Sequence, residues 1–367
     1  MERIYVTVQR FRVSAVSGKP FNPTPGLEIE VCVQNITPLY AINHEVLTKS
    51  LMPQSVSKKP TAMFSKELIE NALKLGFIAI GFSRPNTPLH FKKFVKWINE
   101  VEMGDISYLK RHLDLRKEPK KLLNGLKVII SLAYPYPASK PTTPDGYSAA
   151  RYTTPQEEDY HIRLRGLGKQ LCLFITERFP ESRCRVCVDS APILERSFAS
   201  ESGIGFIGKN NMLIVPGYGS YCFLVEILTT ATFSIPSSEP IENRCYSCTK
   251  CIDSCPSGAL KAPFCLDVSK CLSYLTIEHK GTVDKQAAKK MGSVFFGCDA
   301  CQEVCPFNKN EPPVVSLPST DDILSMEEVD FTSAMGKTAF ERAGLKKLKQ
   351  NISLIVAVHG LKLEIGK

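Results

Sequence analysis

Apolar and polar positions change period several times along the chain. Residues 4–13 alternate as a strand does, and Ser17-Gly18-Lys19-Pro20 marks a turn. Residues 23–60 show no period. From Ser65 the spacing becomes helical: Ser65 offers an N-cap, Leu68, Ile69, Ala72, Leu73 and Leu75 supply an apolar face, and Gly76 stops the run. Residues 77–82 form an apolar run that predicts a buried strand, and 91–100 predicts a second helix. Residues 127–134 predict another buried strand, ended by Pro135 and a loop to Gly146. A helix is expected over 160–179 and a strand over 185–189. Residues 213–215 and 221–228 are expected as strands of one sheet. The tail predicts helices over 338–350 and 351–359. Alternating strands and helices indicate an α/β or α+β core.

Composition narrows this picture. With 367 residues, 43% hydrophobic and 23% charged, the chain is long enough for two or three domains. No stretch of 18 apolar residues occurs, so no membrane helix is expected. The opening Met1-Glu2-Arg3-Ile4-Tyr5 has no signal-peptide hydrophobic region, and a cytoplasmic protein is expected. The net charge of +9 permits an anionic partner such as nucleic acid without requiring one.

Cysteine usage is the strongest chemical signal. Of 14 cysteines, nine fall between 245 and 305; the others are Cys32, Cys172, Cys184, Cys187 and Cys222. A disulfide scaffold would be small and would spread them, so clustering argues for metal and a reducing compartment. Cys245, Cys248, Cys251 and Cys255 make C-x2-C-x2-C-x3-C, followed by Pro256. Cys298, Cys301 and Cys305 make a partial second run, followed by Pro306. This is the ligand spacing of a protein with two 4Fe–4S clusters, in which the fourth cysteine of a run serves the other cluster. Crossing the fourth ligands gives Cys245, Cys248, Cys251 and Cys305 to one cluster. The other takes Cys255, Cys298, Cys301 and either Cys265 or Cys271. Cys271 is preferred, because it is expected to open a helix whose N–H groups favour a thiolate. Zinc also takes C-x2-C, but rarely four cysteines at this spacing before a proline.

Upstream, Val188-Asp189-Ser190-Ala191-Pro192 places a carboxylate where a strand ends. From the residue alone, Asp189 is as well read as a turn or helix cap. Gly203, Gly205 and Gly208 match G-x-G-x-x-G and precede Lys209-Asn210-Asn211, which suggests backbone close to a ligand. They do not lie between a strand and a phosphate-binding helix, so a nicotinamide site is rejected.

These segments together resemble the epoxyqueuosine reductase family. The likeness begins near Met63 and runs through Ala150-Arg151-Tyr152, Asp159-Tyr160-His161 and Val188–Pro192. It continues through Gly203–Asn210, Gly219-Ser220-Tyr221, Glu226, Cys271–Thr276 and Gly297–Gln302, and closes at Cys305-Pro306. The resemblance implies an α/β (α+β) cobalamin-binding reductase core at 63–239, and a ferredoxin-like domain with two 4Fe–4S clusters at 240–310. A short helical segment would follow at 311–367, with an unassigned extension at 1–62. It implies a cobalamin with no protein ligand below cobalt, reduced by the clusters to Co(I). It further implies a tRNA substrate carrying epoxyqueuosine, whose epoxide is reduced to give queuosine. Asp189 would be the proton donor, and a carboxyl in a closed, partly apolar pocket is expected to have a raised pKa.

Other roles follow from the same resemblance. Arg116, Ala150, Asp189, Leu213, Leu224 and Asp299 would lie near cobalamin, the two leucines mainly through backbone. Arg196 would lie near the tRNA. His161 is read as a structural hydrogen-bonder rather than a cobalt ligand. Lys346, Lys347 and Lys349 remain as phosphate contacts. A flavodoxin- or ferredoxin-type electron donor and a monomer are expected. Two departures stand out: the first 62 residues have no counterpart in the family pattern, and the helical repeats that many members carry near the C-terminus are absent before Lys367. Lower affinity for tRNA or a different substrate would account for the second. The competing readings are another corrinoid iron–sulfur reductase, such as a reductive dehalogenase, and a non-enzymatic ferredoxin-like carrier. The former usually bears a twin-arginine export signal, and the latter leaves Asp189 and the upstream core without a purpose.

Overall fold

The computed structural model describes residues 61–155 and 157–359, so the strand expected over 4–13 lies outside the described residues. Four strands form the central sheet: β1 (Ala79–Ser83), β2 (Val128–Pro135), β3 (Cys184–Cys187) and β4 (Cys222–Thr229). Their order is β1-β2-β4-β3, and every pairing is antiparallel. The core is therefore α+β. Helix α1 (Thr61–Lys74) and helix α2 (Tyr160–Arg178) cover one face. Val128, Ile130 and Leu132 of β2 pack there with Phe223, Val225 and Ile227 of β4 and with Leu68, Leu164 and Leu171. The intervening residues, Ile129 on β2 and Leu228 on β4, point the other way. They pack with Phe198 of helix α3 (Glu195–Glu201). With both faces covered, the first six residues of β2 are all buried, which is why an apolar run rather than a clean alternation marks it in the sequence.

α1 starts four residues before the expected N-cap. Ser65 lies inside it, buried, and its hydroxyl donates to the carbonyl of Ser234. Gly76 does end this segment at φ +93°, and a Cβ there would stand 3.2 Å from the Tyr134 ring. α2 begins at a true cap, since the Asp159 carboxylate accepts from the His161 amide.

Two expectations about partners are corrected. Leu213–Ile214 does not join the sheet of β4; it pairs with Phe206–Ile207 in a separate hairpin. The tail is not broken at 350–351. Helix α4 (Leu272–Ile277) packs against helix α5 (Gly344–His359), which runs continuously through Asn351. Asn351 is buried, and its Nδ2 donates to the carbonyls of Thr276 and Phe295, each at 2.9 Å. Its polarity is spent on long-range partners, not on a helix start. A second small sheet joins Pro141–Thr142 and Ser148–Ala149 to Val294–Phe296 and Val314–Val315. Among the described residues no helix is long and apolar enough to cross a membrane.

Candidate functional site

The cysteines gather in two sets that interleave along the sequence. The Cys251 thiol is pushed up by burial, with Cys245, Cys248 and Cys305 adding to the shift. Cys305 is likewise pushed up by burial, partly offset by the Phe307 backbone N–H, with Cys245 and Cys248 adding to the shift. In the other set burial pushes Cys298 up to about 12, and Cys271 and Cys255 act on it as well. Cys301 is raised by burial, then by Cys298 and Cys271. Cys255, Cys271, Cys298 and Cys301 together line one cavity of about 390 Å³. Cys271 is the N-cap of α4, whereas Cys265 is exposed on a two-residue strand and lines no part of that cavity. Among the described residues no three His, Cys, Asp or Glu side chains gather as ligands of one metal ion. That geometry belongs to a single ion, whereas a cubane takes its thiolates at four separate irons. Buried thiols resist losing their protons, and bound iron would reverse this, as cations do for coordinating thiols.

The hairpin 206–214 fastens both cysteine loops. Lys209 Nζ donates to the Cys248 carbonyl at 2.9 Å and also to that of Tyr246. Asn210 Nδ2 donates to the Cys301 carbonyl at 3.3 Å, and Asn210, Asn211 and Met212 line the thiol cavity. The glycines of this segment serve the hairpin itself. A Cβ on Gly205 would stand 2.6 Å from the Ile214 carbonyl oxygen, so the close approach expected for a ligand is to the chain's own backbone.

A second cavity, about 310 Å³, adjoins the first and is lined by Asp159, Tyr160, His161, Asp189, Glu278 and Arg342, among others. Tyr152, Tyr160, Cys271 and Ser273 line both cavities. Asp189 follows β3 at φ +54°, a left-handed conformation that aspartate tolerates better than most residues. Its backbone N–H donates to Glu195 Oε1 at 2.6 Å. Its Oδ2 lies 3.2 Å from His161 Nε2, and the other ring nitrogen, Nδ1, lies 2.8 Å from Asp159 Oδ1. The Tyr160 hydroxyl donates to the same Asp189 oxygen at 3.3 Å. Tyr160 is itself fixed between rings, 4.3 Å from Phe223 and 4.0 Å from His161.

The electrostatics correct one expectation. The hydrogen bond from His161 holds Asp189 below its ordinary value, outweighing burial, so its carboxyl is not raised. The side chain is 62% exposed, and that surface faces an open cavity. Burial works against a charged His161, but the Asp189 and Asp159 carboxylates more than offset it and raise its pKa. Each partner of the Asp189–His161 pair thus favours the charged form of the other. Behind Asp189, burial, with the Asp189 charge adding to it, pushes Glu195 up to about 8.

Ala150, Asp299 and Arg196 all line the thiol cavity. Asp299 is buried, accepts from the Arg151 backbone N–H at 2.8 Å, and is raised by burial. Arg196 donates to the Asn211 carbonyl at 2.5 Å. Arg116, Leu213 and Leu224 line neither cavity. Arg116 is buried, donates to the Arg111 carbonyl, and lies over the Phe94 ring. Leu213 and Leu224 pack into core with Ala133 and Ala199, while their neighbours Met212 and Phe223 reach the cavity instead. Lys347 is corrected as a phosphate contact: it is buried, and its Nζ donates to the Gly281 carbonyl. Lys346 and Lys349 line an open groove on α5. The sequence reading assigned no role to Glu195, Tyr160 or Arg342. Asp159-Tyr160-His161 was the available signal for the first wall of the Asp189 cavity; the Arg342–Glu278 ion pair opposite it, at 2.9 Å, had none.

Comparison with known proteins adds independent evidence. Residues 244–308 match a family model described as a 4Fe-4S double cluster binding domain, and residues 116–190 match one described as epoxyqueuosine reductase QueG, DUF1730. The chain is 34% identical to the epoxyqueuosine reductase of Cellulophaga algicola over 298 residues, covering 77% of this chain and 95% of that one. The chain belongs to the epoxyqueuosine reductase family. The epoxyqueuosine reductase of Bacillus anthracis is 35% identical over 307 residues, with 80% of each chain covered. Among solved structures, an epoxyqueuosine reductase bound to an epoxyqueuosine-modified tyrosine tRNA stem loop superposes with a TM-score of 0.73 at 31% identity, covering 81% of this chain and 82% of that one. Another, from Bacillus subtilis with its catalytic aspartate loop swung out of the active site, gives a TM-score of 0.73 at 30% identity over the same shares.

Proposed function

We propose that this chain reduces the epoxide of epoxyqueuosine in tRNA to the alkene of queuosine. Family membership supports the reaction. The observation that supports the assignment of residues is that the thiol cavity and the Asp189 cavity share Tyr152, Tyr160, Cys271 and Ser273, so that clusters on these thiols and a proton donor at Asp189 would face one space. Loss of the epoxide oxygen as water consumes two electrons and two protons. The electrons would enter through two 4Fe–4S clusters, one held by Cys245, Cys248, Cys251 and Cys305, the other by Cys255, Cys271, Cys298 and Cys301. An external flavodoxin- or ferredoxin-type protein would supply them.

The residues also fit a cobalamin in the thiol cavity. Its lining is broad and rich in small side chains, including Ala150, Ala259, Ala300, Ser257 and Ser273, and contains no histidine among the described residues. When bound, the group would supply a strongly nucleophilic, low-potential cobalt. Ala150, Met212, Phe223 and Asp299 would hold it; Leu213 and Leu224 would contribute backbone alone. Asp189 would hold the transferred proton at Oδ2, and His161, bridging Asp159 and Asp189, would restore it. Tyr160 orients the same oxygen. Arg196, at the rim of the cavity, and Lys346 and Lys349 on α5 would meet tRNA phosphates.

Reconstituted protein, given cobalamin, a strong reductant and an epoxyqueuosine stem loop, should yield queuosine by nucleoside mass spectrometry, and Asp189→Ala should nearly abolish it. The purified protein should carry about eight irons. Cys271→Ser should cut this to roughly half, while Cys265→Ser leaves it whole. Unchanged epoxide with fully loaded wild-type protein would overturn the assignment of function, and full iron in Cys271→Ser the assignment of ligands.

A further inference from the structure

The two thiol sets face different surroundings. Cys255, Cys271, Cys298 and Cys301 line the inner cavity, whereas Cys245, Cys248, Cys251 and Cys305 line neither that cavity nor the one at Asp189. The second run lies among buried side chains, with Asp299 and Gln302 only 3% and 6% exposed. The first run lies at the surface, where Arg244, Tyr246, Ser247, Thr249 and Lys250 are all exposed. Lys209 and Asn210, consecutive in the hairpin, bond to the Cys248 and Cys301 carbonyls, so the two loops adjoin. Electrons arriving from outside would meet the first set before the second, which opens on the substrate cavity.

At this surface two aromatic side chains stand in solvent on backbone that disfavours them. Tyr246 is 71% exposed at φ +37°, and Phe264 is 45% exposed at φ +64°. Bulky residues rarely adopt such angles, and those that do cluster at functional sites. Lys209 joins the pair: its Nζ donates to the Tyr246 carbonyl, and its own carbonyl accepts the Phe264 N–H at 2.9 Å. Lys93, on the helix Phe91–Glu100, places its ammonium 5.9 Å from the Phe264 ring centre. From 244 to 270 the basic Arg244, Lys250, Lys261 and Lys270 stand against the acidic Asp253 and Asp267, and Lys93 and Lys209 add to the excess.

We propose that this face docks an acidic carrier protein with a flavin at its surface, which passes electrons singly to the first thiol set once that set holds its cluster. The inference rests on the function proposed above and gives its electron donor a place. Aromatic side chains ringed by cations match the anatomy of a specific interface, and brief redox encounters need only a small one. Tyr246 and Phe264 can cover the apolar edge of a flavin, while the cations steer an acidic partner. RNA also favours cations and aromatics, but the modified base has to enter at the Asp189 cavity, which none of these residues lines. Each encounter oxidises the reduced flavin by one electron and reduces this protein by one. Two encounters supply the pair consumed with each epoxide.

The test uses full-length, cluster-loaded protein and an acidic flavodoxin in its fully reduced form. Wild-type protein should bind the flavodoxin in calorimetry, more weakly as salt rises, and its visible absorption should bleach on mixing. Lys93→Glu combined with Lys250→Glu should weaken binding and slow bleaching by on the order of 10-fold at low salt. The gap should close near about 1 M salt, where charges are screened within a few ångströms. Tyr246→Ser should weaken binding at every salt concentration. Iron content, bleaching by dithionite and affinity for the epoxyqueuosine stem loop should match wild type in both variants. Unchanged flavodoxin binding in both would overturn the docking face, as would loss of stem-loop binding in place of flavodoxin binding. None of these readouts needs turnover. Normal flavodoxin binding and bleaching without queuosine sinks the proposed function alone, whereas queuosine formed with dithionite by a wild-type protein that binds no flavodoxin sinks the docking face alone.

Discussion

Asp189 combines an unusual backbone with a carboxyl held below its ordinary pKa by His161. At φ +54° few side chains are accommodated, and asparagine is one of them. Asp189→Asn should therefore leave the loop intact and isolate the chemistry, lowering kcat by roughly 10²- to 10⁴-fold, the range for loss of a positioned acid. The sign of the pH dependence follows from the two partners. Asp189 is depressed, so its contribution to stability is present above about pH 4 and is lost as pH falls through the lowered value. His161 is raised, so its contribution is complete below about pH 6.5 and is lost as pH rises through the raised value. NMR titration of the His161 ring should give a pKa above the usual one, and Asp189→Asn should bring it down. Glu226, buried on β4 and raised by burial well above the carboxyl range, obeys the opposite economy. Keeping a carboxyl neutral at pH 7 costs about 1.4 kcal/mol per pH unit above its unfolded value, or roughly 3–4 kcal/mol. Glu226→Gln should raise stability at pH 8 and flatten its pH dependence in denaturant melts. The identity of Asp189 as a candidate was legible in the sequence. Its charge state was not, because the histidine that sets it lies 28 positions away and meets it only across the fold.

At the scale of elements, the hairpin Phe206–Ile207 with Leu213–Ile214 joins the two cysteine loops. Lys209 satisfies carbonyls beside Cys245 and Cys248, and Asn210 satisfies that of Cys301. Lys209→Met would leave carbonyls at the Cys245–Cys248 turn without this donor, at a cost of about 1–3 kcal/mol. Loss of iron to a chelator, followed by bleaching of the visible absorption, should be severalfold faster than in wild type. Gly205→Ala should destabilise the protein by about 1–3 kcal/mol, because its methyl meets a backbone oxygen that cannot turn aside. The strand character of 213–214 was legible from its apolar run; its partner was not, since period reports a face and not a neighbour. The continuity of α5 was obscured for a related reason. Asn351 reads locally as a helix breaker, yet its amide is engaged by Thr276 and Phe295 from other parts of the chain.

Taken whole, the molecule is basic, +9 overall, and its proposed substrate is polyanionic. Affinity for the stem loop should fall with salt, with a log–log slope of roughly −0.7 per phosphate neutralised on single strands. Lys346→Glu with Lys349→Glu should flatten that slope by one or two contacts in a filter-binding series. Lys347→Met should leave it alone, because that ammonium is already bonded to Gly281. The cysteine pattern disclosed the chemistry of the whole more fully than any helix or strand did, since ligand spacing is a local property. The joining of the two cavities through Tyr152 and Tyr160 is a product of packing and left no local trace. The position of the cysteines also bears on biogenesis. The central sheet is complete at Thr229, but neither proposed ligand set can close before Cys301 and Cys305 have been synthesised. At about 5–20 residues per second, a ribosome needs roughly 4–15 seconds to cover that interval. In that time the nascent chain can fold its reductase core and bury Glu226, while its first run of thiols, once made, waits exposed for iron and for the ligand that completes it.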